Sequence, residues 1–163
     1  MPDPHNRHAT PSTNTPPLIV DTEGNTYIPR ILVAFEAPDI VRLLDQSLRQ
    51  VGYQVMTAGD GRKALEKVRS EMPDLVVMDT ALPFLDGFQV VECMKSVPNT
   101  AEIPVVFIHT LGPVEDPLVF RYFQSGADCF LTAPFNPLEV VTNLRRIFDS
   151  LRPRPPRSNP DPE

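Results

Sequence analysis

The chain predicts an α/β fold, a (βα)5 three-layer sandwich built around a five-stranded parallel sheet. From Arg30 onward, short β-branched runs alternate with stripes of helical period. Four of the five runs are nearly continuous in apolar residues, as strands covered by helices on both faces must be. With right-handed crossovers such a series closes into a sheet between two helix layers, and it binds ligands outside the carboxyl ends of its strands. The run "DLVVMD" (74–79) ends in a carboxylate, Asp79, at one of those ends.

Taken in order, "LIVDTEGNTYI" (18–28) precedes the pattern; its two apolar runs flank a Gly-Asn turn and fit either a small hairpin or a linker over 18–29. The strands are "RILVAF" (30–35), "YQVMTA" (53–58), "DLVVMD" (74–79), "PVVFIH" (104–109) and "DCFLT" (128–132). Ile40, Leu43, Leu44, Leu48 and Val51 form the stripe of the first helix, with Pro38 in its first turn and Gly52 past its end. Ala64, Leu65 and Val68 mark the second helix, and Val90, Val91 and Met94 the third. The fourth begins at "EDP", with Asp116 as cap and Pro117 in the first turn, and stops at Gly126. Its Leu118, Val119, Tyr122 and Phe123 form a stripe suited to the sheet, and Phe120 points off it. The fifth opens with Asn136 as cap and Glu139 three residues on, before Leu138, Val141, Leu144, Ile147 and Phe148.

The length of 163 residues suits one domain, placed at 30–151. Ten of the twenty prolines fall in 1–17 and 153–163, stretches too poor in apolar side chains to offset ordering entropy, so tails 1–17 and 152–163 are expected to be disordered. Residues 1–17 and 153–163 are each charge-balanced, which assigns the formal net charge of −6 to residues 18–152 and disfavours nonspecific binding to nucleic acid or anionic lipid. No apolar stretch has the length of a membrane span and the N-terminus lacks a signal-peptide pattern; the expectation is a soluble cytoplasmic protein. Cys93 and Cys129 have neither metal-knuckle nor redox spacing and read as reduced core residues. "PRPP" in the C-terminal tail reads as linker more readily than as a polyproline ligand.

"ILVAFEAPDI", "DLVVMDTALPFLDGF", "IPVVFIHT" and "GADCFLTAPFNPLEVV", in this order and on these elements, resemble the receiver domain of two-component response regulators over residues 30 to 150. The resemblance implies a flavodoxin-like fold and a non-enzymatic phosphorelay role. The acid at the position of Asp79 would take a phosphoryl group from a histidine kinase. Magnesium would be held by acids after the first strand, by Asp79 and by the carbonyl of Ala81. A lysine after the fifth strand and a hydroxyl after the fourth would contact the phosphate.

Several of those positions are altered. The acid pair becomes Phe35 and Glu36, leaving Glu36 as the remaining metal ligand or as a cap of the first helix. The hydroxyl position falls on His109, a candidate cation or pH-sensitive partner of Asp79, or a plainly packed side chain. Thr110 follows, and strand alternation argues against its hydroxyl substituting. The lysine position is Ala133. Phosphorylation is therefore expected to be slow, weakly coupled or absent, and Mg2+ binding weak or absent.

The resemblance further implies protein partners: a histidine kinase, a phosphotransfer protein or a downstream signalling protein. It also implies a switch surface that includes Phe130, Phe120 and Tyr122, and a possible homodimer through the fourth helix, fifth strand and fifth helix. Two function classes remain: a single-domain receiver phosphorylated at Asp79, and a pseudo-receiver acting as a phosphate-independent interaction module. An enzyme or flavin carrier on the same fold is disfavoured, because "AFEAPD" lacks a Gly/Ser/Thr-rich phosphate cradle. With only a tail after residue 151, no DNA-binding output domain is expected.

Overall fold

A computed structural model describes residues 18–151, 153 and 155; the two predicted tails otherwise lie outside the described residues. The segment before the domain is a hairpin. Strands β1 (Ile19–Val20) and β2 (Thr26–Tyr27) pair antiparallel. The Asp21 carboxylate closes the turn by accepting from the backbone N–H groups of Glu23 at 2.8 Å and Asn25 at 2.9 Å. Ile19 packs on the domain core, whereas Leu18 and Val20 face outward.

The predicted sheet is present. Strands β3 (Arg30–Ala34), β4 (Gln54–Ala58), β5 (Leu75–Asp79), β6 (Val105–His109) and β7 (Cys129–Thr132) are all parallel, in the order β4-β3-β5-β6-β7. Two aspartates fasten strand starts: Asp74 accepts from the N–H of Arg30 at 2.7 Å, and Asp128 from that of Val105 at 2.9 Å. Helices α1 (Pro38–Gln50), α2 (Gly61–Glu71), α3 (Gly87–Lys95), α5 (Asp116–Ser125) and α6 (Pro137–Ser150) are the five expected. A single extra turn, α4 (Pro98–Ala101), is new; Pro98 begins it.

Alternation along the strands divides the core between two faces. Ile31, Val33, Phe35, Val77, Val106 and Ile108 lie in one cluster with residues of α1 and α6. Leu32, Val76, Met78, Val105 and Phe107 lie in the other, with residues of α2 and α3. Each fully buried aliphatic chain contributes about 1.5–3 kcal/mol relative to exposure. The two sides of the sheet are therefore distinct, and residues two apart on a strand share a side.

Helix starts differ in detail from the sequence reading. Asp60 and Asp86 cap α2 and α3, the latter in a reciprocal box with Gln89. Glu36 does not cap α1, whose N-cap is Ala37 without a side-chain bond. Asp116 is the first residue of α5 and Glu115 its N-cap, again without a side-chain bond. Asn136 does cap α6, accepting from Leu138 N–H at 3.0 Å.

The predicted stripe of α5 is only half right. Leu118 and Tyr122 pack against the core, but Val119 and Phe123 are exposed along with Phe120, and α5 has no fully buried residue. Four stripe residues at that spacing span more of the helix than this sheet edge covers. Leu43 and Leu138, assigned to the stripes of α1 and α6, are likewise exposed.

Candidate functional site

Asp79 ends β5, the middle strand of the sheet, and only 6% of it is exposed. It continues the row of Val77, so it faces the α1/α6 side. One carboxylate oxygen, Oδ1, accepts from the backbone N–H of Ala81 at 3.1 Å. The other, Oδ2, accepts from the hydroxyl of Thr110 at 2.5 Å. Among the described residues no lysine, arginine or histidine forms an ion pair with Asp79.

Thr110 overturns a sequence expectation. Val106 and Ile108 share the α1/α6 face with Val77, and the next residue of their row is 110. Alternation therefore brings the Thr110 hydroxyl to Asp79 and sends residue 109 to the opposite face. His109 is accordingly no partner of Asp79: its Nδ1 is hydrogen-bonded with Oγ1 of Thr80 at 2.9 Å. The His109 side chain is buried and its Nε2 has no hydrogen-bond partner. Thr80, itself buried, was not singled out from sequence, although its place after Asp79 on the other face was readable.

Phe35 follows the last register pair, Ala34 with Met78, and so stands beside Asp79. Its ring is 1% exposed and belongs to the α1/α6 core cluster. Glu36 is exposed. An open cleft of about 430 Å3 lies between α1 and the end of β4, lined by Phe35, Glu36, Arg42, Asp45 and Gly59; Asp79 is not among its lining residues. Ala133 is exposed, and its N–H donates to the carbonyl of His109 at 2.8 Å. The Ala133–Pro134 peptide is cis.

A metal at Glu36, Asp79 and the Ala81 carbonyl finds a poor donor set. Among the described residues no three acidic, histidine or cysteine side chains gather to hold an ion. Both Asp79 oxygens already accept hydrogen bonds, and an apolar ring fills the place of the second acid. These residues do not fit a magnesium ion as they stand.

The loop after Asp79 is held by close backbone approach. Gly87 N–H donates to the Thr80 carbonyl at 2.9 Å, and a Cβ at Gly87 would lie 2.4 Å from the Asp79 carbonyl oxygen. Gly61 N–H donates to the Pro83 carbonyl at 3.0 Å, and a Cβ there would fall 1.8 Å from the Leu85 carbonyl oxygen. Two helices thus press on the loop that presents the acid. At its tip Phe84 adopts a left-handed conformation with φ of 68° and is 73% exposed, with the Arg62 guanidinium 4.9 Å from its ring centroid.

On the His109 face an aromatic column runs outward. The rings of His109 and Phe130 are nearly parallel at 6.3 Å, and Phe130 meets Tyr122 at 5.1 Å. Phe130 and Tyr122 are half-buried, and Phe120 is 62% exposed. Of the three residues expected at a switch surface, Phe130 and Tyr122 stack outward from His109 and Phe120 lies on the surface.

What this architecture defines is a doubly wound α/β module with a carboxylate at the ligand end of its middle strand. The model of the response regulator receiver domain matches residues 31–145, and the chain belongs to that family. It is 37% identical over 121 residues to the DNA-binding dual master transcriptional regulator RpaA of Synechocystis sp., covering 74% of this chain and 49% of RpaA. It is 36% identical over 119 residues to the alkaline phosphatase synthesis transcriptional regulatory protein PhoP of Bacillus subtilis, covering 73% and 48%. The chain thus spans about half the length of the curated relatives it matches.

Solved receiver domains share the flavodoxin-like fold. That of a signal transduction histidine kinase from Syntrophus aciditrophicus superposes with a TM-score of 0.72 at 25% identity, over 81% of this chain and 98% of that one. That of the sensor histidine kinase PA1611 from Pseudomonas aeruginosa, with magnesium coordinated in its active site cleft, gives 0.67 at 25% identity, over 76% and 100%.

Proposed function

We propose that this receiver domain works chiefly as an interaction module, a pseudo-receiver in which Asp79 keeps the phosphoacceptor position without the chemistry for rapid phosphoryl turnover. One observation carries the reading: both Asp79 oxygens are held by uncharged donors while Phe35 is buried where an acid would stand. A carboxylate attacking an anionic phosphate needs charge neutralised around it. With Ala133 in the lysine position and a poor metal donor set, that neutralisation is missing. Magnesium, if bound through Glu36, Asp79 and Ala81, binds weakly.

Partner contact falls to the outer face of α5, β7 and α6. Leu111, Val114, Val119, Phe120 and Phe123 are exposed within thirteen consecutive residues, and clustered exposed apolar side chains mark interaction sites. A histidine kinase, a phosphotransfer protein, a downstream signalling protein or a second copy are the partners this face suits. The acidic balance supports no direct nucleic-acid contact by the domain itself. Among the described residues no helix is long and apolar enough to cross a membrane; the cytoplasmic site of action is part of the proposed signalling role.

Reversible phosphorylation at Asp79 is the second reading, favoured by the well-kept loop around the acid. The test is incubation with magnesium and beryllofluoride or acetyl phosphate, followed by intact mass and amide NMR, with Asp79→Asn as control. The interaction-module reading expects no stable adduct and no shifts at Phe130. An Asp79-dependent adduct with shifts reaching Phe130 would restore the phosphorelay reading.

A further inference from the structure

The loop after Asp79 carries an aromatic ring that the core does not use. Leu85 N–H donates to the Pro83 carbonyl at 2.8 Å, closing a tight turn with Phe84 at its centre. A turn of this kind with positive φ, here 68°, is strained for side chains other than glycine, and most for bulky ones. The ring gains little from packing, being 73% exposed. The turn is held by backbone instead: the Pro83 carbonyl also accepts from Gly61 N–H at 3.0 Å, and Gly61 leaves no room for a side chain against Leu85. The start of α2 is equally unusual. Arg62 and Lys63 stand in its first turn, which holds no acidic residue, although the positive end of a helix disfavours cations. Both side chains are exposed, and the Arg62 guanidinium lies 4.9 Å from the Phe84 ring centroid. Among the described residues neither cation forms an ion pair with a carboxylate. In a chain of formal net charge −6, this is a cationic and aromatic spot.

We propose that Phe84, Arg62 and Lys63 form a docking site for an acidic peptide segment of a protein partner, one in which carboxylates flank an aromatic or aliphatic side chain. The apolar side chain covers the Phe84 ring, and the carboxylates pair with the guanidinium and the ammonium group. Aromatic rings and arginines are the side chains that most often carry the binding energy of protein interfaces. Charge points to a peptide over a nucleic acid. The Asp60 carboxylate already accepts from Lys63 N–H at 2.7 Å at the start of α2, and the acidic balance of the domain opposes a polyanion. Because backbone contacts fix the turn before binding, little ordering entropy is lost when a partner covers the ring. The site is separate from the outer face of α5, since α3 packs against both α2 and α5 and stands between them. It requires nothing of Asp79, phosphorylated or not.

Amide NMR titration of the full chain with a short synthetic peptide, alternating glutamate and leucine around one tryptophan, tests the site. Saturable shifts are expected at Arg62, Lys63, Phe84 and Leu85, with Val119 to Phe123 unmoved. The same peptide with glutamine in place of glutamate should bind at least about tenfold more weakly. Phe84→Gly and Arg62→Gln should each weaken binding of the acidic peptide about tenfold. Phe84→Gly should also unfold at the parent temperature or above it, because glycine takes the positive φ without strain; a ring kept for the fold would give the opposite. Absent shifts, or equal binding of the glutamine peptide, would overturn the proposal. So would a Phe84→Gly protein that binds as the parent does or unfolds well below it, or shifts produced by oligothymidylate in place of the peptide. Neither variant alters Asp79, so the outcome is independent of any adduct there.

Discussion

Replacing Phe35 by aspartate would bring back the acid that receivers carry beside the phosphoacceptor, and the structure indicates a heavy loss of stability. The ring is 1% exposed, in a cluster with Ile31, Val33, Leu44 and Leu48. Truncating a buried phenylalanine costs about 3–5 kcal/mol. A carboxyl group left without partners in that space adds roughly 1–3 kcal/mol. The total, about 4–8 kcal/mol, is comparable to the whole stability of an ordinary domain at about 5–15 kcal/mol. Ala133→Lys, on an exposed residue, should change stability by no more than about 0.5 kcal/mol. Urea unfolding followed by far-UV circular dichroism separates the two. With a slope of about 2 kcal/mol/M, Phe35→Asp should unfold some 2 M or more earlier, and Ala133→Lys at the parent midpoint. An aspartate variant with the parent midpoint would show that the space at residue 35 is open to water, and the account of Phe35 as core would fail.

Two further variants probe the support of the site. Gly87→Ala sets a methyl group 2.4 Å from the Asp79 carbonyl oxygen and 2.8 Å from the Phe107 ring, so α3 or the strand end must shift; a loss of about 1–3 kcal/mol in urea unfolding is expected, with amide shifts centred on Asp79 and Thr80. Tyr53 packs on Phe148, its hydroxyl is buried without a partner, and burial first, then Asp149, hold its ionisation above the ordinary tyrosine range against the opposing effect of Arg145. The unfolded chain therefore ionises first, and the parent should lose stability as pH rises past 10.0. Tyr53→Phe should lack that part of the alkaline loss and at neutral pH be equal to the parent or up to about 1 kcal/mol more stable, by thermal unfolding across pH.

The sheet was legible because its strands are buried on both faces, so "ILVA", "LVVM" and "VVFI" announce themselves without help from their surroundings. Asp79 was legible for the same reason, as a carboxylate closing an apolar run. Its partner was missed because residue 109 occupied the expected hydroxyl position and drew the reading, although the two-residue row of Val106 and Ile108 already pointed to Thr110. Phe123 was misplaced because a helical stripe states which residues share a side and leaves open how much of that side a sheet edge covers. Caps at Asp60 and Asp86 were within reach of sequence; the absence of a side-chain cap at Ala37 was not, since it depends on where Glu36 turns.

The hairpin of β1 and β2 feeds directly into the amino end of β3, and every strand of the main sheet runs the same way from that end. Asp79 stands at the opposite pole, about one strand length, roughly 16 Å, across the sheet. Polypeptide joined ahead of Leu18 therefore enters at the floor of the domain, with the acid and the β6–α5 connection at its roof. A small probe attached at the exposed side chain of Leu18 itself therefore sits at the floor and leaves the roof clear.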